Sequence, residues 1–118
     1  MGRLDDIANA AIAGEALQLG GLLQDWLLQR PRLTDCARPE STDERVVVVA
    51  AALVELLAQQ LGQAPPPWTR EVGSLSEPLH LLKSASTMRR LREQCEAEAP
   101  LPLRSRRLYA PADYLTFA

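Results

Sequence analysis

The stretch Val46 to Leu61, VVVVAAALVELLAQQL, constrains this chain more than any other, because Glu55, Gln59 and Gln60 are its only clearly polar positions. Ser41 followed three residues later by Glu44 predicts a reciprocal capping box at a helix start. Gly62 supplies a favourable stop, and Pro65 to Pro67 forbid continuation. The helix so bounded covers about residues 42–61, roughly 30 Å. On a helical wheel Glu44, Glu55 and Gln59 share one narrow strip, while valines and leucines take nearly every other direction. Such a helix must be wrapped by others. Fully burying its nine Val and Leu side chains contributes roughly 14 to 27 kcal/mol, as an upper bound. Val48 lies toward the polar strip, so Val48→Asp is expected to be milder than Leu57→Asp.

Two other forms fit the stretch less well. Val46 to Val49 suit a strand, but the Ala- and Leu-rich continuation has no alternation and no turn residue separates it from the valines. A membrane span needs about twenty apolar residues, whereas Glu55 interrupts the run.

At 118 residues the chain has the length of one domain, able to bury somewhat over ~60% of its unfolded surface without disulfides. Aromatics are 4%, and Gly-rich hairpin signals are absent, so the expectation is an all-α, small single-domain helical bundle around the central helix. The net charge of −2 argues against a protein that coats nucleic acid. Residues 1–59 carry 5 basic and 9 acidic side chains and residues 60–118 carry 8 and 6, an asymmetry that can mark an interaction surface. Cys36 and Cys95 have no paired spacing and read as free thiols of a cytoplasmic protein. The acidic start Asp5-Asp6 lacks the apolar core of a targeting segment.

Leu4, Ile7, Ala8, Ala11 and Ile12 recur at helical spacing and predict a first helix over 4–13, ending near Gly14. A second, 15–29, carries the stripe Leu19, Leu22, Leu23, Trp26 and Leu27; Gly20 and Gly21 in its middle imply a bend or a close helix crossing. Residues 30–41 read as a polar connection, slack between helix ends. Beyond the central helix, Pro67 to Glu71 can start one helical turn with Trp68 as a lid over the core. Gly73 to Lys83 reads as a turn and a short irregular helix. Ser84 or Ser86 can cap a further helix to about Ala97, with Met88, Leu91 and Cys95 inward and the pairs Arg89/Glu93 and Arg92/Glu96 outward. Pro111 can open a last turn that docks Tyr114 and Phe117, with Asp113 near its positive end.

No catalytic motif is present. His80 is the single histidine, set among leucines, with no nucleophile paired to it in sequence, so it reads as a partly buried structural residue. No metal-ligand spacing and no phosphate loop occur, and no cofactor is expected. The candidate interaction residues are Arg89, Arg90, Arg92, Arg104, Arg106 and Arg107 with Tyr109, since guanidinium groups beside an aromatic can hold phosphate or stack on a base. Glu93, Glu96, Glu98 and Asp113 can equally neutralise them in place. Tyr114 and Phe117 join the candidates if the tail is an apolar anchor for a partner instead of core.

From Pro65 onward, PPPWTREVGSLSEPLHLL, TMRRLREQC and APLPLRSRRLYAPADYLTFA, residues 65–118 resemble a family of poorly characterised bacterial helical proteins. The shared pattern is a Pro-Trp pair, a Glu-Pro turn, a Leu-Arg helix and an Arg-rich, aromatic terminus. Here Leu103 stands where an aromatic is common and Leu108 replaces a polar or small residue. Members sit beside nucleotidyltransferase-like proteins in toxin and antitoxin pairs, or carry an added DNA-binding head, which has no counterpart here. The resemblance implies an antitoxin-like or regulatory role. The reading is a non-catalytic module with a protein partner, a homodimer among the options; binding of nucleic acid through the arginines is the alternative and a small-molecule enzyme a third.

Overall fold

The computed structural model describes residues 3–30, 32–112, 114 and 115. The fold is all-α, with five helices and one two-residue pairing of extended chain among the described residues. None of these helices is long and apolar enough to cross a membrane.

Helix α3, Glu44–Leu61, is the axis. Asp43 caps it, its carboxylate accepting the Arg45 backbone N–H at 2.9 Å, while Ser41 Oγ accepts from the Asp43 N–H at 3.1 Å. The expected Ser41/Glu44 box therefore does not form and the helix starts two residues later than 42, because an Asp anion satisfies the positive end directly. Gly62 ends it in the left-handed region at φ 68°. Val46 to Val54 and Leu56 to Ala58 are all buried, and only Leu61 among the nine valines and leucines is exposed. Val48 is as buried as Leu57, at 3% against 1% exposure, which overturns the ranking from the wheel. Val48→Asp and Leu57→Asp are instead expected to lower the denaturant midpoint alike, each placing a carboxylate in an apolar site.

Helix α1, Arg3–Ala13, packs along α3, and α2, Ala16–Leu28, packs on α1. The α1 contact is the most extensive in the fold and buries Leu4, Ile7, Ala8 and Ala11. Between α1 and α2, Gly14 turns at φ 72°, where an added Cβ would lie 2.8 Å from the Lys83 Cβ. That contact fixes the N-terminal pair against the second half of the chain. Leu19, Leu23 and Trp26 of α2 face inward. Gly21 is not a close crossing as expected: α2 runs through it unbroken, and a Cβ there would meet nothing within 4 Å.

The connection 30–41 is docked instead of slack. Leu33 is fully buried in a single 3-10 turn, its N–H donating to Gln63 Oε1 at 3.0 Å, and Thr34 Oγ1 donates to the Ala64 carbonyl at 2.7 Å. Trp68, in the expected turn Pro67–Glu71, lies half-buried against the core and donates Nε1–H to the Cys36 carbonyl at 2.8 Å.

The irregular helix expected near Leu79 is instead strand β1, Leu79–His80, paired in parallel with β2, Leu108–Tyr109. The N–H groups of Leu79 and Leu81 donate to the carbonyls of Arg107 and Tyr109, both at 3.0 Å. Pro78 cannot donate a helical bond, and the backbone of residues 79 to 81 pairs with the distant strand instead. Helix α4, Arg89–Glu98, starts after a 3-10 turn over Lys83–Ser86; Met88 precedes it and is exposed, not inward as expected, whereas Cys95 is fully buried. Helix α5, Leu101–Arg104, buries Leu103 against α3.

Candidate interaction surface

The six candidate arginines do not form one basic face. Arg106 is only 8% exposed. Its fork grips Glu55, Nη1 to Oε1 at 2.5 Å and Nη2 to Oε2 at 3.2 Å, and it also donates to the carbonyls of Thr69 at 3.0 Å and Pro102 at 3.2 Å. This two-pronged ion pair joins α3 to the Pro67–Glu71 turn and to α5. The carboxylate in the middle of the central helix therefore has its counter-charge inside the protein. Arg107, at φ 62°, donates to the Ser76 carbonyl at 2.6 Å. Arg89 pairs with Glu93 at 3.0 Å as its spacing implies. The matching Arg92/Glu96 pair is replaced: Glu96 meets His80 Nε2 at 3.3 Å. Arg90 and Arg104 are exposed, on α4 and α5.

His80 is half-buried, its ring centroid 5.4 Å from that of Tyr109. With Arg92, Leu79, Leu82 and Lys83 it lines a shallow depression of about 440 Å³. No group of three or more metal-binding side chains converges among the described residues. Both thiols are held protonated, Cys36 by burial and then the Asp35 charge, Cys95 by burial and then Glu98 and Glu96. A thiol raised in this way is a poor nucleophile.

Tyr114 belongs to the core, and Phe117 lies outside the described residues. The tail turns at Pro111, whose carbonyl accepts the Tyr114 N–H at 3.0 Å, and Gln60 Nε2 donates to the Tyr114 carbonyl at 3.3 Å. The Tyr114 hydroxyl is buried with no hydrogen-bond partner among the described residues. Burial holds its ionisation far above the ordinary tyrosine value of 10.0. An unfolded chain loses this proton near that value while the folded chain keeps it. The stability it represents is complete below pH 10.0 and is lost as pH rises further, at up to about 1.4 kcal/mol per unit. Tyr114→Phe is expected to remove that alkaline loss. It also deletes an unsatisfied hydroxyl, so at neutral pH it should be neutral or stabilising by about 1 kcal/mol. Denaturant midpoints at about pH 7 and about pH 11 check both signs.

The largest exposed apolar feature of the helices lies elsewhere, on the outer side of α2, where Leu17 is 95% and Leu28 80% exposed. Their spacing of eleven residues puts them within about 20° on the helix, on the side opposite Leu19, Leu23 and Trp26. Gly21 and exposed Gln24 lie between them on the same line. The stripe was legible as a second apolar direction on one wheel, but the inward leucines masked it. Against family models, curated proteins and solved structures, the chain gives no match.

Proposed function

We propose that the protein is a non-catalytic protein-interaction module, regulatory in the manner of the antitoxin-like partner that the resemblance implies, and that it binds through the outer side of α2. The observation that carries this reading is the pair of leucines left almost wholly in water. A single exposed leucine is ordinary on a protein surface. Two lie in one line on a helix whose only charged residue is Asp25, with Gly21 and Gln24 between them. Covering both recovers roughly 3 to 6 kcal/mol before the costs of association. Binding of nucleic acid draws less support, since Arg89, Arg106 and Arg107 each donate to oxygens of the protein itself.

A photo-crosslinking residue placed at Leu17 in living cells tests the proposal. A discrete crosslinked species is expected from that position and not from exposed Glu40, on the connection that follows α2. Equal, diffuse labelling at both positions would show that the stripe is only solvated surface.

A further inference from the structure

We propose that the depression beside His80 is a binding site for a small organic acid, with Arg92 as the anchor for its anionic group. The depression lies where three segments far apart in sequence meet: the end of α1 at Ile12, the run from Leu79 to Lys83, and α4 at Arg92. The packing of Gly14 against Lys83 ties the first two of these walls together.

Charge selects an anion. Arg92, Lys83 and His80 line the depression, and no carboxylate lines it among the described residues. The whole chain has a net charge of −2, so this concentration of positive charge is local. Arg92 is the informative member. It is half-buried, and its guanidinium has no hydrogen-bond or ion-pair partner among the described residues. The carboxylate that its spacing offers, Glu96, is turned to His80 Nε2 at 3.3 Å, and Glu93 is taken by Arg89. A guanidinium drawn partly out of water without an acceptor favours an oxyanion that takes both prongs of its fork, and carboxylate and phosphate each do so.

Shape sets the rest of the ligand. Ile12, Leu79 and Leu82, all partly buried, line the same space, so the acid carries an apolar body beside its anion. The His80 ring, fixed by Glu96 and lying 5.4 Å from the Tyr109 ring, makes one flat wall, which favours an aryl group. A shallow space of about 440 Å³ takes a ligand of roughly ten non-hydrogen atoms, held with a dissociation constant on the order of 0.1 to 1 mM.

Hydrocinnamate, an aryl acid of that size, is the probe, and its amide supplies the same body without the charge. Each is titrated into the isotope-labelled chain and followed by the backbone amide NMR signals. Saturable shifts are expected with the acid in that range, centred on residues 79–83 and 89–96 and the end of α1, with the amide bound at least about tenfold more weakly. Arg92→Gln should weaken the acid about tenfold or more and leave the amide unchanged. Arg90→Gln, at an exposed position on the same helix, should change neither. The dispersion of the amide signals confirms that both variants are folded. Phenyl phosphate titrated in parallel tells which oxyanion the fork prefers, and saturable, Arg92-dependent binding of either supports the site. No saturable shift with either anion up to about 10 mM overturns the proposal. Equal binding of the amide, indifference to Arg92→Gln, or shifts centred on α2 overturn it as well. The test is separate from that of the α2 reading: a failed crosslink at Leu17 leaves this site standing, and an empty depression leaves α2 untouched.

Discussion

Glu55→Ala is expected to destabilise the fold by about 3 to 5 kcal/mol, far more than the loss of a surface ion pair. The reason is what it leaves behind. Arg106 is buried and gives four hydrogen bonds, two of them to Glu55. Without the carboxylate the guanidinium keeps two carbonyl acceptors and no counter-charge. Arg106→Met should be similarly severe, now stranding Glu55 on α3. Replacing both, Glu55→Leu with Arg106→Met, should recover most of the loss, because a packed apolar pair is often as stable as a buried ionic one. A double-mutant cycle on denaturant midpoints measures this, with a coupling of several kcal/mol expected. Additive single effects would show that the pair is not a unit.

Removal of residues 109–118 should cost about 3 to 6 kcal/mol, at roughly 1.5 to 3 for each large side chain withdrawn from the core. Tyr114 and Leu115 are 8% and 4% exposed, and Ala110 is fully buried. The cut also removes Tyr109 from the strand pairing, and with it the carbonyl that accepts the Leu81 N–H. Leu115 stands at φ 67°, a region that leucine enters at a penalty, so its side chain is seated at the expense of the backbone. Thermal melting of the truncated chain checks the sign and size. An unchanged midpoint would mean that the tail adds nothing to the isolated fold, and would return Tyr114 to the candidates for partner contact.

The helices were legible wherever one direction of the wheel dominated. Leu4, Ile7 and Ala11 of α1 are buried as their periodicity implies, and twelve of the eighteen residues of α3 as its run of valine, alanine and leucine implies. What escaped detection depends on distant parts of the chain. Leu79 and His80 carry no strand signal of their own; they are extended because Leu108 and Tyr109 offer a partner. Arg106 sits in a cluster of like charges and nothing adjacent marks it as the one that turns inward. The clue was Glu55, a carboxylate set between buried Val54 and Leu56 in the apolar body of the helix, which needs a partner from somewhere. The α2 pair escaped for a different reason: it stood on the wheel as a weaker second apolar direction, and whether such a direction is covered depends on what packs against it.

The Glu55–Arg106 pair also sets an order in time. The partners are 51 residues apart in the chain, and a translating ribosome adds about 5 to 20 residues each second. For roughly 3 to 10 seconds the newborn central helix therefore has a carboxylate on its flank and no guanidinium within reach. Over that interval α1 and α3, both already synthesised, can associate, with α2 packed on α1. The surface that α5 and the tail will cover stays open, with a charge in its middle. That charge is unfavourable for a finished core yet protective for an unfinished one, since an apolar flank interrupted by a hydrated carboxylate is a poorer site for misassociation than an unbroken run of valine and leucine.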